Sequence, residues 1–160
     1  MLIKKIRSGG QSGVDRAALD TARKFSIPIC GWVPEGGWAE DYPSPPGLLR
    51  DYPELVETGS ENIDIRTEWN ARDADGTLIL FSDVETQSRG TLYTRMMVTK
   101  HSNSVLAVNI GEVEKVLPWL RSFGQPIELN VAGPRESESP GIYQAACTLL
   151  GELFSEEGVL

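Results

Sequence analysis

The sequence predicts an α/β fold in which helices cover both faces of a doubly wound parallel sheet. Short apolar runs alternate with segments of helical periodicity, a pattern typical of repeated strand–helix–strand units. The run Gly76–Phe81 is almost entirely apolar, as in a strand buried on both faces. A glycine-rich turn joins the first apolar run to the first helical pattern, which is a frequent entry to folds of this class.

The elements follow in order along the chain. A strand is predicted at 2–7, followed by a helix at 13–25 that has Val14, Ala18 and Ala22 at helical spacing. Pro28 breaks that helical pattern. Later strands are predicted at 28–32, 76–81, 104–110 and 127–132, and later helices at about 61–73 and at 89–100, 112–122 and 140–155.

Residues 34–60 interrupt this alternation with a proline- and glycine-rich segment. Segments of that length without regular structure are often functional. Trp38, Tyr42 and Tyr52 give it an aromatic content that a disordered tail lacks. We expect an ordered flap near the ligand pocket, within a single domain over residues 1–160. An irregular surface excursion or an oligomer contact is the alternative.

Composition narrows the possible functions. The chain has 160 residues, 40% of them hydrophobic, and a net charge of −8, which disfavours broad binding to nucleic acid or to a membrane surface. No apolar run reaches the roughly 18 residues of a membrane span. The first residues lack the apolar stretch of a signal peptide, so we expect a cytoplasmic protein.

The chain also lacks a metal-ligand pattern. Cys30 and Cys147 are isolated in sequence, and we expect both to be reduced, buried thiols. His101 is expected at a helix end, either solvated or as a cap. No protein-bound metal site is predicted.

The most informative turn has the spacing G-G-x-x-G at residues 9–13. Its three glycines permit positive φ and close approach of a ligand, and the amides of Gln11, Ser12 and Gly13 are expected near a helix N-terminus, where an anion is favoured. The spacing matches neither the dinucleotide fingerprint nor a Walker loop. A turn that needs glycine only for its geometry is the alternative.

Ligands of open parallel sheets bind beyond the carboxyl ends of the strands. Two further turns with hydroxyl, glycine and arginine residues follow strand ends, at 83–91 and at 132–137. Together with the first turn they form a candidate anion site. Its members outside residues 9–13 are Asp15, Arg89, Gly90, Thr91, Gly133, Arg135, Glu136 and Ser137.

Each of these residues also has a plain structural interpretation. Thr91 can cap a helix, and Asp15 can complement its helix dipole. Arg135 can pair with Glu136 or Glu138 on the surface.

The predicted helix at 61–73 adds two candidates. Arg66 and Asn70 are one turn apart and share a helix face, so both can reach the rim of the site. Arg72 and Asp73 are interpreted as a structural pair, and Trp69 as a core residue.

Residues 8–20, 66–80 and 129–137, together with Gly141, Ile142 and Tyr143, resemble the bacterial putative molybdenum carrier family. The resemblance spans essentially the whole chain. It implies a three-layer Rossmann-like fold related to the molybdenum cofactor carrier protein and to the LOG phosphoribohydrolases. It also implies a small phosphorylated ligand and a homo-oligomer.

The resemblance assigns roles to individual positions. It implies phosphate-binding turns made of Gly9, Gly10, Gln11, Gly13 and Asp15, then Gly90 and Thr91, then Gly133, Arg135, Glu136 and Ser137. Arg66 takes the place of an arginine found in the phosphoribohydrolases. Where those enzymes have a glutamate after the Gly-Thr pair, this chain has Thr94. Threonine cannot act as a carboxylate base at neutral pH, so hydrolysis is disfavoured.

The sequence therefore favours a non-catalytic carrier of a phosphorylated pterin- or nucleotide-like ligand, with molybdopterin, the molybdenum cofactor, as the cargo that the resemblance implies. No catalytic residue is assigned. A nucleotide-type phosphoribohydrolase that uses Glu136 or Asp15 is the alternative, and an interaction module is a third hypothesis. Two positions depart from the family pattern. Arg89 replaces the glycine expected before Gly90, and its side chain narrows that turn. Glu35 and Gly37 replace residues that are often basic in the family.

Overall fold

The computed structural model describes residues 1–82, 89–101 and 103–160. Its main sheet has five parallel strands, in the order β2-β1-β7-β5-β6. The strands of the chain are β1 Ile3–Arg7, β2 Ile29–Cys30, β3 Trp32–Val33, β4 Val56–Glu57, β5 Gly76–Phe81, β6 Ser104–Asn109 and β7 Ile127–Ala132. The helices are α1 Val14–Lys24, α2 Ile63–Asp73, α3 Arg89–Lys100, α4 Val116–Arg121 and α5 Ile142–Ser155.

The helices lie on both sides of this sheet, which confirms the predicted fold class. Helices α1, α4 and α5 contribute to one large apolar core, and α1 packs directly against α5. Helix α2 packs against α3, and these two share a smaller cluster that includes Ala71, Met97 and Val98. Every residue of β5 is buried, as its apolar run predicts.

The predicted strand at 28–32 was wrong in one respect. The structure divides it at Gly31, because β2 pairs with β1 whereas β3 pairs with β4 in a separate two-stranded sheet. A Cβ at Gly31 would collide with the carbonyl oxygen of Ser8, so glycine permits this close approach. The helix predicted at 112–122 also differs, since it begins as a 3-10 turn at Val113–Lys115.

The long segment 34–60 is ordered around two 3-10 turns, Glu35–Gly37 and Gly47–Arg50. It is anchored by apolar residues, since Leu48 is fully buried and Leu55 is 4% exposed. A bidentate ion pair also joins Arg16 of α1 to Asp41, at 2.9 and 3.0 Å. The segment therefore packs onto the first loop and α1.

The strand order places a crevice at the centre of the sheet. The chain goes from β1 outward to β2, later from β5 outward to β6, and finally inserts β7 between β1 and β5. Helix α1 follows β1 and α5 follows β7, and these two helices pack together, whereas α3 follows β5 and packs against α2. Such a reversal of strand order is where open α/β sheets bind ligands.

Candidate functional site

A cleft of about 250 Å³ lies at the carboxyl ends of β1, β5 and β7. It contains predicted residues from all three turns and from α2. These are Gly9, Gln11, Asp15, Arg66, Asn70, Arg89, Gly90, Gly133 and Arg135. The structure thus brings together segments that are far apart in sequence.

Arg66 of α2 lies at the base of the cleft and is 7% exposed. Its Nη1 donates to the carbonyl oxygen of Gly9 at 2.8 Å, which fixes the guanidinium against the first turn. Burial lowers the pKa of Arg66 from its ordinary value, although the carboxylate of Asp15 opposes this change. Because the ordinary pKa of arginine is above 12, Arg66 still supplies a cation to the cleft at neutral pH.

Asp15 is the acidic counterpart of Arg66. Burial raises the pKa of Asp15 to about 6, while the charge of Arg66 and the amides of Gln11 and Gly133 partly oppose the increase. Its Oδ2 accepts from the Gln11 amide at 3.4 Å. Asp15 therefore holds the first and last turns together and titrates nearer to neutral pH than an exposed aspartate.

Asn70 and Asn130 are buried amides in the wall of the cleft. Asn70 accepts from the Trp32 amide at 2.8 Å and donates to the Trp32 carbonyl oxygen at 2.9 Å. Its side chain thus joins α2 to β3. Asn130 donates to the Thr77 hydroxyl at 3.3 Å, so it links the neighbouring strands β7 and β5.

Two ion pairs form the rim, and each joins an exposed side chain to a half-buried one. Arg89 approaches Asp64 at 3.3 Å, and Arg135 approaches Glu138 at 3.8 Å. Ion pairs near the surface contribute little to stability, so both arginines can exchange their carboxylate for an anionic ligand at small cost. Arg135 also lies over the Trp38 ring, at 5.6 Å from its centroid.

The remaining predicted residues lie outside the lining of the cleft: Gly10, Ser12, Gly13, Thr91, Glu136 and Ser137. Gly13 packs against the Pro134 carbonyl. Glu136 caps α5, because its carboxylate accepts from the amides of Gly141 at 2.5 Å and Tyr143 at 2.9 Å. Thr91 is buried in the first turn of α3. These residues shape the turns around the cleft.

The expectation that the amides of the turns are available to bind an anion was wrong for several of these amides. The Ser12 amide donates to Gln11 Oε1 at 3.0 Å, and the Glu136 amide donates to the Ser12 hydroxyl at 3.1 Å. The Ser137 amide donates to Glu40 at 3.3 Å. Because nearby side chains take up these amides, the donors of the cleft are largely side chains.

The cleft also includes residues that sequence reasoning did not single out as binding residues: Ile63, Asp64, Thr67, Thr94, Asn130, Ala132 and Glu138. Helical spacing from Arg66 and Asn70 could have identified Ile63 and Thr67, which share that face. A polar residue inside the apolar strand β7 was the available signal for Asn130. Part of the predicted turn at 83–91 lies outside the described residues.

No residue of the 34–60 segment lines the cleft. Its aromatic rings instead pack against arginines: the Arg16 guanidinium lies 4.8 Å from the Tyr42 centroid, and Arg23 lies 4.4 Å from that of Tyr52. The segment reaches the site through Trp38, which packs against the rim residue Arg135, and through Glu40, whose amide donates to Gln11 Oε1 at 2.9 Å. The 34–60 segment therefore stabilises the turns around the cleft without lining the cleft itself.

Several other side-chain interpretations can be compared with the structure. Arg72 and Asp73 form the predicted pair, at 2.6 Å. Cys30 and Cys147 are free thiols but half-buried, and His101 contacts Glu68 at 3.1 Å. Within the described residues, no cluster of three or more His, Cys, Asp or Glu side chains is arranged to hold a metal ion. In the same part of the chain, no helix is long and apolar enough to cross a bilayer.

The chain is similar to proteins whose fold is known. A solved structure of a putative molybdenum carrier protein from Syntrophus aciditrophicus SB shares 36% sequence identity with it, over 97% of this chain and 96% of that chain, with a TM-score of 0.85. This similarity confirms the resemblance that the sequence motifs indicated. No curated protein matches the chain. Residues 6–154 match the family model for circularly permutated YpsA proteins of the SLOG group. The chain belongs to the circularly permutated YpsA SLOG family.

Proposed function

We propose that this protein is a carrier that holds a phosphorylated pterin- or nucleotide-like ligand in the cleft beside Arg66. The observation that carries the proposal is the buried Arg66 guanidinium at the point where the strand order reverses, bound to the Gly9 carbonyl. Arg89 and Arg135 stand on the rim and can add charge-assisted hydrogen bonds. The solved relative is named a molybdenum carrier protein, which favours a molybdopterin-type cargo.

Two features support binding without hydrolysis. Thr94 lines the cleft, but its hydroxyl donates to the Gly90 carbonyl at 2.9 Å, and threonine cannot serve as a carboxylate base. Glu136, one of the two carboxylates that the hydrolase alternative would use, has its carboxylate bound to the first amides of α5. A carrier needs reversible binding and shielding, which this arrangement can supply.

The direct test is calorimetric titration of the purified protein with molybdopterin, AMP, GMP and inorganic phosphate. We expect at least one of the phosphorylated organic ligands to bind with micromolar affinity, about −8 kcal/mol. Failure of all four probes to bind would contradict the proposal. Release of a free base from the nucleotides would instead favour the hydrolase alternative.

A matched pair of arginines on α3 sharpens this test. Arg89 lines the cleft and has 86% of its side chain exposed, whereas Arg95 lies on the same helix, is also exposed, and is outside the lining. We expect Arg89→Ala to weaken ligand binding about tenfold, because a hydrogen bond to a charged group contributes about 1.5–3 kcal/mol. Arg95→Ala should leave the affinity unchanged. Equal losses in both variants would indicate general charge attraction and not a specific site.

A further inference from the structure

Among the described residues, the side chain of Gln11 has hydrogen-bond partners for its carbonyl oxygen but not for its amide nitrogen. It is 3% exposed, and its Oε1 accepts from the amides of Ser12 at 3.0 Å and Glu40 at 2.9 Å. Both partners are N–H donors, so the carbonyl oxygen of the carboxamide must face them. The orientation of the Nε2 donor is therefore determined, and it makes no hydrogen bond with any of the described residues.

The residue that carries this unpaired donor is one of those that line the cleft. A buried polar group without a partner costs about 1–3 kcal/mol. Such groups are rare in folded proteins and call for a specific explanation. A hydrogen-bond acceptor on a bound ligand would remove the cost, and the gain would appear as binding affinity.

The orientation of Gln11 depends on Glu40, which comes from the long 34–60 segment. The carboxylate of Glu40 accepts hydrogen bonds from the Ser12 hydroxyl, from the Ser137 hydroxyl at 2.6 Å and from the Ser137 amide at 3.3 Å. Burial alone would raise the pKa of Glu40, but these hydrogen bonds outweigh it and lower the pKa. An ionised carboxylate therefore joins the first and last turns of the site.

The backbone of Glu40 is held on its other side as well. The adjacent Asp41 forms its bidentate pair with Arg16, and Arg16 also donates to the Gly10 carbonyl at 3.0 and 3.2 Å. The Glu40 amide thus occupies a fixed place beside Gln11. These contacts connect the 34–60 segment to the orientation of the Gln11 side chain.

We infer that Glu40 is a positioning residue for ligand binding, and that it orients Gln11 so that Nε2 donates to an acceptor atom of the ligand. The inference rests on the proposed function, because it requires the cleft to bind a ligand. It also narrows the class of ligand to molecules that place a hydrogen-bond acceptor against Gln11. The acceptor is a phosphate oxygen, a ring carbonyl oxygen or a ring nitrogen. Glu40 itself does not line the cleft and acts through Gln11.

The first test removes the donor. Gln11→Glu keeps an acceptor for the Ser12 and Glu40 amides but has no Nε2, while Gln11→Met removes both the donor and the acceptor without adding charge. Calorimetry with AMP and molybdopterin should give at least tenfold weaker binding for Gln11→Glu and about fivefold weaker binding for Gln11→Met. Adenosine serves as the phosphate-free comparison. Its affinity should fall as well if the acceptor is on the ring, and stay constant if the acceptor is on the phosphate.

The outcomes separate this inference from the proposed function. Absence of binding to the wild-type protein refutes both. Wild-type binding with the same affinity in Gln11→Met refutes the role of Gln11 and leaves the carrier function standing. Circular dichroism and thermal unfolding identify any variant that does not fold.

The second test measures the coupling between Glu40 and Gln11. Glu40→Ala should weaken binding of AMP or molybdopterin about fivefold, and the double variant Gln11→Met/Glu40→Ala should bind no more weakly than Gln11→Met. The exposed Glu35 lies in the same segment, and Glu35→Ala should bind like the wild type. Additive losses in the double variant would overturn the positioning role, because a purely structural effect of Glu40 would not depend on the donor at residue 11.

Discussion

At the scale of the residue, Asp15 shows how burial changes the acidity of a carboxylate that the sequence placed in the first turn and that the hydrolase alternative would use as a base. Its carboxylate is buried next to the Arg66 guanidinium, and its pKa is raised to about 6. We therefore expect anion binding at the proposed site to be linked to the protonation of Asp15.

The raised pKa predicts the pH dependence of stability. Between about pH 4 and pH 6 the folded protein binds a proton at Asp15 more tightly than the unfolded chain does, so the free energy of unfolding should fall as pH rises through this range. Asp15→Asn should remove this decrease, which we expect to be on the order of 2–3 kcal/mol. Urea unfolding from pH 4 to 7 measures it, with Glu152→Gln on the surface of α5 as the control. An unchanged slope in Asp15→Asn would show that another group is responsible.

Gly13 has a different residue-scale role, because its backbone has φ +79° and a Cβ there would collide with the Pro134 carbonyl. Gly59 has a similar φ of +73° but no atom within 4 Å of its Cβ position. We expect Gly59→Ala to cost about 1–2 kcal/mol from φ alone, and Gly13→Ala to cost at least about 2 kcal/mol more. Chemical denaturation of both variants measures the difference. Equal costs would mean that the first and last turns do not need their close contact.

At the scale of the element, α5 begins without a side-chain cap from its own N-cap residue, Gly141. Glu136 supplies the cap from five residues earlier, through the amides of Gly141 and Tyr143. A residue that the sequence placed among the ligand contacts therefore stabilises a helix terminus and fixes the last turn relative to α5.

Removing this cap should destabilise the protein. We expect Glu136→Ala to lower the free energy of unfolding by about 1–2 kcal/mol, because two helix amides lose their acceptor. Glu152→Ala, on the exposed face of the same helix, should change it by less than about 0.5 kcal/mol. Thermal unfolding of the two variants is the measurement. A neutral Glu136→Ala would leave the carboxylate available for another role.

At the scale of the whole molecule, two side chains join parts that are distant in sequence. Asn70 connects α2 to β3 of the small sheet through both backbone groups of Trp32. Asp20 of α1 accepts from the hydroxyls of Tyr52 at 2.6 Å and Tyr143 at 2.8 Å, which ties the long segment to α1 and α5. The homo-oligomer that the sequence resemblance implies stays a prediction at this scale, and sedimentation equilibrium tests it.

The link at Asn70 can be tested by substitution. Asn70→Ala should cost about 2–4 kcal/mol, because both Trp32 groups lose their partners. Asn70→Asp keeps an acceptor for the Trp32 amide but places a second acceptor against the Trp32 carbonyl, so it should not restore stability. Amide hydrogen exchange should be faster at residues 32–33 and 56–57 in both variants. Unchanged exchange there would mean that the small sheet is held by other contacts.

Much of the fold could be predicted from the sequence, because strand and helix periodicity and glycine-rich turns are local patterns. The alternation of elements specified parallel strands whose carboxyl ends meet at one edge, and this is why Gly9, Arg66, Arg89 and Arg135 could be assigned to one site. The division of the strand at Gly31 could not be predicted, since it depends on two sheets that compete for one short apolar run.

The sequence by itself thus determined the class of fold and the turns that surround the cleft, because both follow from the order of apolar and glycine residues along the chain. Only the tertiary structure decided which polar groups are free to bind a ligand. The Glu136 amide donates to Ser12, 124 residues away, and Gln11 Oε1 accepts from Glu40, 29 residues away, whereas Gln11 Nε2 has no partner in the part of the chain that the structure describes. Hydrogen-bond pairing between distant residues depends on how the segments pack, and a one-dimensional pattern does not contain that information.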